Sequence, residues 1–547
     1  MNSTRIRAVW LVLALLLAGL PAGVRAQEAA KAPEAKPSEP PEKKEPPKEE
    51  SSVTEHSIKV AGQVVNYTAT FGSILIRDDK DEPSALVFYT AYTRTDTKDM
   101  SQRPLTFAYN GGPGSASAWL HMGAFGPRRV VTEDAKFTPP GPYHLTDNAY
   151  SLIDKTDVVF LDPVGTGYSH AVGKAANKDF WGIDQDVHSL AQVIRLYVTR
   201  NGRWTSPKYL LGESYGTFRS AALGNYLQQH EGMALNGIVL ISNVLDLSQL
   251  RFGAGDDLCY ILYLPSYAAT AWYHKMLKNP PSDLHAFIAD ARKFAAGEYA
   301  SALMKGSQLS DAEKADMARK LSAYTGLGED YLVKANLRVN LGQFREELKR
   351  ATGETTGRLD ARFTGFTYDL LSEFATTDPQ SNAITGAYTA AINYYLREEL
   401  KYKTDRNYSL LGGEPGRNWD WRRAEGPGRF FPGAPNVMED LAQAMIANPH
   451  LHVEVENLQV CRAAVQRLDL ERTVSQPLVA PGEIRGRTLR SYRRRRCPRN
   501  CLQFIYERRR PHDLPGATRA ARSPSRPLPI DGRGWLKTYR RPGSAMR

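Results

Sequence analysis

The sequence predicts an α/β fold with a mainly parallel central sheet and helices on both of its faces. Short continuous apolar runs, typical of strands buried on both sides, occur at 105–109, 158–161, 209–211 and 238–241. Helix-forming stretches at 184–200 and 217–230 follow some of these runs, and strands that alternate with helices indicate a parallel sheet. Before them, residues 56–94 alternate apolar and polar side chains between turn residues, which predicts an antiparallel meander.

After about residue 255 the pattern changes to one helix after another. Ser310 and Glu313 form a capping box, and Gly326 is suitably placed to end the helix that follows it. Ser282, directly after two prolines, is expected to begin another helix with an apolar face. These segments predict a helical insertion over 265–403 that lies as a cap over the C-terminal edge of the sheet.

The two ends of the chain differ from this central domain, for which we expect the bounds 53–457. Residues 1–26 have a basic start, an apolar run and small residues before position 27, which is the layout of a secretory signal peptide. A membrane anchor is the alternative, but the apolar run is too short to cross a bilayer of about 30 Å. The Pro-, Glu- and Lys-rich residues 27–52 predict a disordered linker.

The positive charge of the chain is concentrated in its last ninety residues. The whole chain carries a formal net charge of +12, but residues 458–547 alone hold 22 Lys and Arg against 6 Asp and Glu. The remainder is therefore slightly acidic, which argues against a specific nucleic-acid partner for the main domain. With 42% apolar residues the chain can bury a large core, which excludes disorder throughout.

No cofactor or metal is expected from the sequence. Cys259 is the only cysteine before position 460, so the main domain has no internal disulfide. Cys497 and Cys501 have no further ligands at zinc-like spacing, and no phosphate-binding glycine loop or dinucleotide fingerprint occurs.

The segment Gly212-Glu213-Ser214-Tyr215-Gly216 has the Gly-x-Ser-x-Gly pattern between a predicted strand and a predicted helix. Small residues at both flanks permit a sharp turn that exposes the serine hydroxyl, as in the nucleophile elbow of an α/β-hydrolase. The backbone N–H of Tyr215 can then serve as an oxyanion donor at the positive end of the helix. The glycine-rich segment 110–114, which follows another strand, is expected to supply a second donor.

Three blocks together resemble the signature of the serine carboxypeptidase family. They are 109–117, 162–169 and the Gly-Glu-Ser-Tyr-Gly turn, and their order and spacing also agree. The resemblance extends over about 56–457, is closest to the bacterial branch of the family, and implies an α/β-hydrolase fold and peptides with a free C-terminus as substrates.

The resemblance also implies roles for five residues. Ser214 corresponds to the nucleophile, and the N–H groups of Gly112 and Tyr215 correspond to the oxyanion hole. Asn110 and Glu213 match the positions that bind the free C-terminal carboxylate of the substrate. A glutamate can bind another carboxylate only when one of the two holds a proton, so peptide binding is expected to be best in mild acid.

The acid and the histidine of a catalytic triad do not occur in the expected contexts after residue 457. Asp469 and His512 have the right order, nucleophile then acid then histidine, although their surroundings differ from the family pattern. The tail is rich in Arg and Pro, as expected for a shifted reading frame in a GC-rich gene. Codons for 509–514, read one base later, can spell Ala-Gly-His-Met-Ile-Tyr, which resembles the histidine block of the family.

Three hypotheses for function follow. The first is an exported, periplasmic or secreted serine carboxypeptidase without stable membrane insertion. The second is an esterase or acyltransferase that uses the same site, since a fold does not fix the substrate. The third is a catalytically inactive homologue whose basic tail, whether disordered or frame-shifted, binds anionic polymers.

Overall fold

A computed structural model describes residues 47–424 and 435–456 of the chain. Thirteen strands occur in these residues: β1 (Ser51–Val60), β2 (Gln63–Arg77), β3 (Pro83–Arg94), β4 (Leu105–Tyr109), β5 (Arg128–Val130), β6 (Leu145–Asp147), β7 (Asp157–Leu161), β8 (His170–Ala171), β9 (Lys208–Glu213), β10 (Gly237–Ile241), β11 (Glu354–Thr356), β12 (Thr364–Phe366) and β13 (His452–Glu456). Nine of them form one sheet in the order β1-β2-β3-β7-β4-β9-β10-β13, with β8 paired to β3.

Twelve α-helices occur in the same residues: α1 (Ala118–Leu120), α2 (Ile183–Arg200), α3 (Tyr215–Gln229), α4 (Leu258–Tyr273), α5 (Leu284–Phe294), α6 (Ala300–Lys305), α7 (Asp311–Thr325), α8 (Glu329–Lys334), α9 (Leu341–Glu347), α10 (Pro379–Tyr394), α11 (Gly413–Arg417) and α12 (Met438–Ala447). Short π-helical segments extend α1, join α5 to α6 and extend α10, at His121–Phe125, Ala295–Tyr299 and Tyr395–Glu399. Among the helices described, none has the length and apolar character needed to cross a membrane.

The sheet has an antiparallel half and a parallel half. Strands β1, β2 and β3 pair antiparallel, which confirms the predicted meander, and β3 joins β7 in the same way. Strands β7, β4, β9, β10 and β13 then run parallel to one another. The carboxyl ends of β4, β9, β10 and β13 therefore meet at one edge of the sheet, where sites of open parallel sheets lie.

Helices cover both faces of the sheet, as predicted. Successive side chains of a strand point to opposite faces. Phe107 and Leu210 accordingly pack in one apolar cluster with residues of α2, α3 and α12, whereas Ala108 and Leu211 pack in a second cluster with residues of α1 and α10. This arrangement of a mainly parallel sheet between two helical layers is that of the α/β-hydrolases.

The helical region has its own apolar core and begins earlier than the predicted 265–403. Helix α4 begins at Leu258 and contains Pro265 in its interior, and helices α4 to α9 enclose a third cluster that includes Tyr263, Leu321 and Phe344. A proline inside a helix removes one backbone hydrogen bond, so Pro265 is an unusual residue for a helix interior. Burial of Pro265 and its neighbours in the cap core offsets that cost.

The two predicted helix starts in the cap differ in outcome. The capping box is present, since the Glu313 N–H donates to Ser310 Oγ (3.3 Å) and the Ser310 N–H donates to Glu313 Oε2 (2.9 Å). Gly326 ends α7 in the left-handed conformation with φ 70°. The prediction for Ser282 was wrong by one position: Asp283 caps α5, because its Oδ1 accepts from the N–H groups of His285 and Ala286 in the first turn of that helix.

The end of the predicted linker 27–52 is ordered against the domain, in contrast to the expectation of disorder up to residue 52. Ser51 and Ser52 already belong to β1, where they pair with Gly72 and Phe71 of β2. Glu49 accepts from the Leu75 N–H at 2.7 Å. Backbone pairing at the sheet edge and these local contacts fix a segment whose composition alone predicts a solvated chain.

Candidate active site

Ser214 lies at a sharp turn between strand β9 and helix α3. Its backbone has φ 57° and ψ −125°, a strained conformation for a residue with a side chain. The Ser214 N–H donates to the carbonyl of Ile241 in β10 (3.0 Å), and the N–H of Thr217 donates to the Ser214 carbonyl (2.8 Å). The turn requires a glycine at position 212, because a Cβ there would lie 2.1 Å from the Gly216 carbonyl oxygen. The predicted elbow geometry is therefore present.

The glycine-rich segment after β4 lies directly against this turn. Tyr109 at the end of β4 is in register with Gly212 of β9. A Cβ on Gly111 would approach the Tyr215 nitrogen to 2.3 Å and the Gly216 nitrogen to 2.8 Å, so the two backbones touch. The structure thus brings together residues 110–112 and the Ser214 turn, as the sequence predicts.

The two predicted oxyanion donors differ in their surroundings. Tyr215 is the first residue of α3, and N–H groups in a first helical turn have no partner within the helix and lie at its positive end. Gly112 is exposed at the mouth of the loop, next to the Gly111 backbone that contacts Tyr215. An oxyanion hole consists of two backbone donors close to the nucleophile, which stabilise negative charge on the attacked carbonyl. The roles of Gly112 and Tyr215 as these donors stay predictions.

Asn110 and Glu213, predicted to act together, are hydrogen-bonded to each other. Asn110 Nδ2 donates to Glu213 Oε2 at 2.9 Å, and Asn110 Oδ1 accepts from the Leu120 N–H at 2.9 Å. Asn110 is almost fully buried, whereas Glu213 is half-buried beside Ser214. The pair therefore presents an amide and a carboxyl group next to the serine.

The third signature block, 162–169, contacts the end of the first block, 109–117, through the side chain of Asp162. The buried Asp162 Oδ1 accepts from the Ser117 N–H (2.8 Å), and its Oδ2 accepts from the Tyr408 hydroxyl (2.8 Å). Burial raises the pKa of Asp162 to about 6, and these hydrogen bonds oppose that rise. Sequence reasoning identified this block by resemblance only and gave Asp162 no role.

Because the pKa of Asp162 is raised on folding, the native protein should bind its proton more tightly than the unfolded chain does. This contribution to stability is complete below about pH 4 and is lost as the pH rises through 6. We expect Asp162→Asn to gain stability relative to the wild type, by roughly 3 kcal/mol, between pH 4 and pH 7. Urea unfolding of both proteins at several pH values measures this difference, and a difference independent of pH would contradict it.

Strand β13 leads the chain to the same edge of the sheet. It pairs parallel with β10 from Gly237 and His452 to Ile241 and Glu456, and the Ser242 N–H donates to the Glu456 carbonyl at 3.0 Å. Glu456, the last described residue, thus lies beside the end of β10, where the Ile241 carbonyl accepts from the Ser214 N–H. The predicted partners Asp469 and His512 lie outside the described residues.

Several described histidines are engaged elsewhere. His121 is buried in the core, hydrogen-bonded to the Tyr92 hydroxyl, and burial lowers its pKa to about 3. His274 Nε2 donates to the carbonyl of Ala361 in the cap, and His170 Nδ1 donates to that of Tyr168. One ring nitrogen of each of these three histidines is therefore engaged with a group other than Ser214.

Sequence reasoning missed one charged residue of the site, Arg219. Its guanidinium group is fully buried in α3 and bonds to Asp186 of α2 and to the backbone of Asn110. A signal was present, since an arginine among Phe218, Ala221, Ala222 and Leu223 on a helix implies a buried partner.

The sheet order, the strained serine turn and the glycine-rich loop beside it define an α/β-hydrolase with a serine at the nucleophile position. A family model of serine carboxypeptidases matches residues 65–335. This match assigns residues 65–335 to the serine carboxypeptidase family, whose members are hydrolases that act on peptides.

Among solved structures, the Kex1 prohormone-processing carboxypeptidase from Saccharomyces cerevisiae matches at 15% identity over 74% of this chain and 76% of its own, with a TM-score of 0.47. Proline iminopeptidase from Mycobacterium smegmatis matches at 13% identity over 74% of this chain and 95% of its own, with a TM-score of 0.28. None of the curated proteins matches the chain.

Proposed function

We propose that the protein is a serine-type carboxypeptidase that releases residues from the C-terminus of peptides through an acyl-enzyme. One observation carries this proposal beyond a general acyl transfer: the Asn110–Glu213 pair, hydrogen-bonded at 2.9 Å, stands immediately before the nucleophile turn. An amide donor and a carboxyl group that can share a proton with the substrate carboxylate, both close to Ser214, suit a substrate whose charged end lies one residue from the cleaved bond.

In the proposed reaction, Ser214 Oγ attacks the last peptide carbonyl while a base takes its proton. The N–H groups of Gly112 and Tyr215 donate to the oxyanion, and the protonated base gives its proton to the leaving amine as collapse of the intermediate expels the C-terminal amino acid. Water then hydrolyses the acyl-enzyme and restores Ser214. The base and its orienting acid are supplied by the chain that follows Glu456, where Asp469 and His512 have the required order.

Glu213 makes this reaction depend on pH. Two carboxylates at hydrogen-bond distance repel each other unless they share a proton, so peptide binding weakens when that proton is lost. Above the pKa of the shared proton, KM should rise by about tenfold for each pH unit. Export by the segment 1–26 to the periplasm or the medium, as we also propose, would expose the enzyme to external pH.

We expect Glu213→Gln to remove most of this pH dependence. A neutral amide can donate to the substrate carboxylate at any pH, so KM for a blocked dipeptide should become nearly constant between pH 5 and pH 7.5. The same reaction on an ester substrate without a free carboxylate provides the control, because its KM involves no carboxylate pair. An unchanged KM profile in the variant would contradict the assigned role of Glu213.

The proposed activity itself is tested with three substrates of the same acyl group. They are an N-blocked dipeptide with a free C-terminus, the corresponding dipeptide amide, and a simple ester. A carboxypeptidase cleaves the first much faster than the second, since only the first has the carboxylate that Asn110 and Glu213 bind. Hydrolysis of the ester alone would instead support an esterase, and equal rates on peptide and amide would argue against this site.

A further inference from the structure

Arg219 connects the helix that follows Ser214 to the loop beside it. The Arg219 side chain is fully buried, its Nε donates to Asp186 Oδ2 at 2.6 Å, and its Nη1 donates to the Asn110 carbonyl at 2.7 Å. Asn110 opens the segment that contains Gly112. One guanidinium group thus ties together α2, α3 and the first residue of the proposed oxyanion loop.

Two aromatic rings fix the plane of this guanidinium group. Its central carbon lies 5.2 Å from the centre of the Tyr109 ring and 5.3 Å from that of Tyr215. Tyr109 precedes the loop, and Tyr215 follows Ser214. Cations over aromatic rings are attracted by the ring quadrupole, most strongly where water is excluded. The contacts of Arg219 therefore flank both proposed oxyanion donors.

We propose that Arg219, oriented by Asp186, is a positioning residue that sets the distance between the Gly112 and Tyr215 N–H groups and thereby the geometry of the oxyanion hole. It contacts neither substrate nor reacting atoms, and it acts through the backbone of Asn110. The inference rests on the proposed function for its catalytic consequence. Its structural part, the placement of the loop, stands on the contacts alone.

A second buried arginine in the chain shows what a purely structural pair looks like. Arg203 Nη1 donates to Asp157 Oδ2 at 2.6 Å, its Nε donates to Ser206 Oγ, and its Nη2 donates to the Arg103 carbonyl at 2.7 Å. All three of its nitrogens are bonded. Arg219 Nη2, by contrast, has no hydrogen-bond partner among the described residues. In Arg219, therefore, one nitrogen makes no hydrogen bond in the described part of the chain, while Nη1 donates to the Asn110 carbonyl of the loop.

These two arginines form a matched pair for experiment, because they bind backbone at opposite ends of strand β4. The Arg103 carbonyl, which Arg203 binds, lies just before the first residue of β4. The Asn110 carbonyl, which Arg219 binds, directly follows the last residue of β4. Lysine keeps the charge but offers a single ammonium group that cannot bond two acceptors in a plane and stack between rings. Arg219→Lys and Arg203→Lys should therefore both lose stability, while only Arg219→Lys should disturb the loop.

In the full chain, the turnover rate for the blocked dipeptide is measured and divided by the concentration of reactive Ser214. That concentration is obtained by titration to completion with a fluorophosphonate, so that the result is kcat per active site. We expect Arg219→Lys to lower kcat by about 10- to 100-fold, as for a small displacement of catalytic groups, and Arg203→Lys to leave it near the wild-type value. Counting sites removes the effect of unfolded protein. A wild-type kcat per site in Arg219→Lys would overturn the proposal.

Hydrogen exchange of residues 110–117 supplies a readout that needs no turnover. The N–H groups of Ser115 and Ala116 are bonded to the carbonyls of Gly111 and Leu410, so they exchange faster when the loop loosens. We expect faster exchange in Arg219→Lys and no change there in Arg203→Lys. If the wild type cleaves no peptide, the proposed function fails. Hydrogen exchange of residues 110–117 then tests the positioning role of Arg219 without a turnover measurement.

Should Arg219→Lys fail to fold, the double variant Asp186→Leu, Arg219→Met replaces both buried charges by apolar groups of similar volume, which is often tolerated. The same faster exchange of 110–117 is expected in the double variant. Exchange of this segment at the wild-type rate in a folded variant without Arg219 would show that the loop is held by other contacts, and would overturn the proposal.

Discussion

Ser214→Ala is expected to abolish both peptide cleavage and covalent labelling by a fluorophosphonate. Removing the nucleophile of a serine hydrolase lowers kcat by about 10⁴-fold or more, because only binding and the oxyanion donors remain. The expected result is a loss of labelling to background and of dipeptide hydrolysis below detection, measured in the full chain by gel fluorescence and by amino-acid release.

Ser242 provides a matched control for this variant. It also has positive φ (51°), and it follows the neighbouring strand β10 at the same edge of the sheet. Ser242→Ala should therefore keep the labelling and turnover of the wild type. Labelling that persists in Ser214→Ala would show that another residue reacts, and would contradict the proposed role of Ser214.

Replacing Ser214 by glycine should abolish activity without lowering the free energy of unfolding below that of the alanine variant. The backbone of Ser214 lies at φ 57° and ψ −125°, where a side chain costs about 1–3 kcal/mol and glycine costs little. Part of that gain is offset by the greater freedom of glycine in the unfolded chain. We expect Ser214→Gly to be inactive yet at least as stable as Ser214→Ala in urea unfolding, because strain is relieved only by removing Cβ.

Much of the central fold could be predicted because its strands are buried on both faces. Strand β4 coincides with the predicted apolar run, β7 and β10 each begin one residue before theirs, and β9 is three residues longer than its run. Short strands such as β5, β6, β11 and β12 escaped prediction, because three-residue pairs depend on contacts from distant parts of the chain rather than on a local period.

Dependence on contacts between distant parts of the chain also separates the predicted from the unpredicted parts of the site. Ser214 and the loop near Gly112 carry local patterns, so sequence alone could identify them. The apolar neighbours of Arg219 indicate that it has a buried partner, but no local pattern identifies Asp186 and Asn110 as the residues it binds, because they lie far from it in the chain. The acid and base stay a prediction, because the family pattern ends where the arginine-rich tail begins, after the strand that leads to the site.

Gly111→Ala should disable the site without touching a reacting group. A Cβ at this position would lie 2.3 Å from the Tyr215 nitrogen and 2.7 Å from the Glu213 carbonyl oxygen, and both are backbone atoms that cannot rotate away. The loop must therefore move from the serine turn, which separates the two oxyanion donors. Displacements of about 1 Å at reacting groups can cost about 100-fold in rate.

We expect Gly111→Ala to lower kcat per titrated site by about 100-fold or more and to lose roughly 1–3 kcal/mol of unfolding free energy through overpacking. Gly253→Ala is the control, because no atom lies within 4 Å of a Cβ built there. Urea unfolding and dipeptide turnover of both variants measure the two effects. A fully active, stable Gly111→Ala would mean that the loop and the serine turn are not in contact, and that the oxyanion hole must be sought elsewhere.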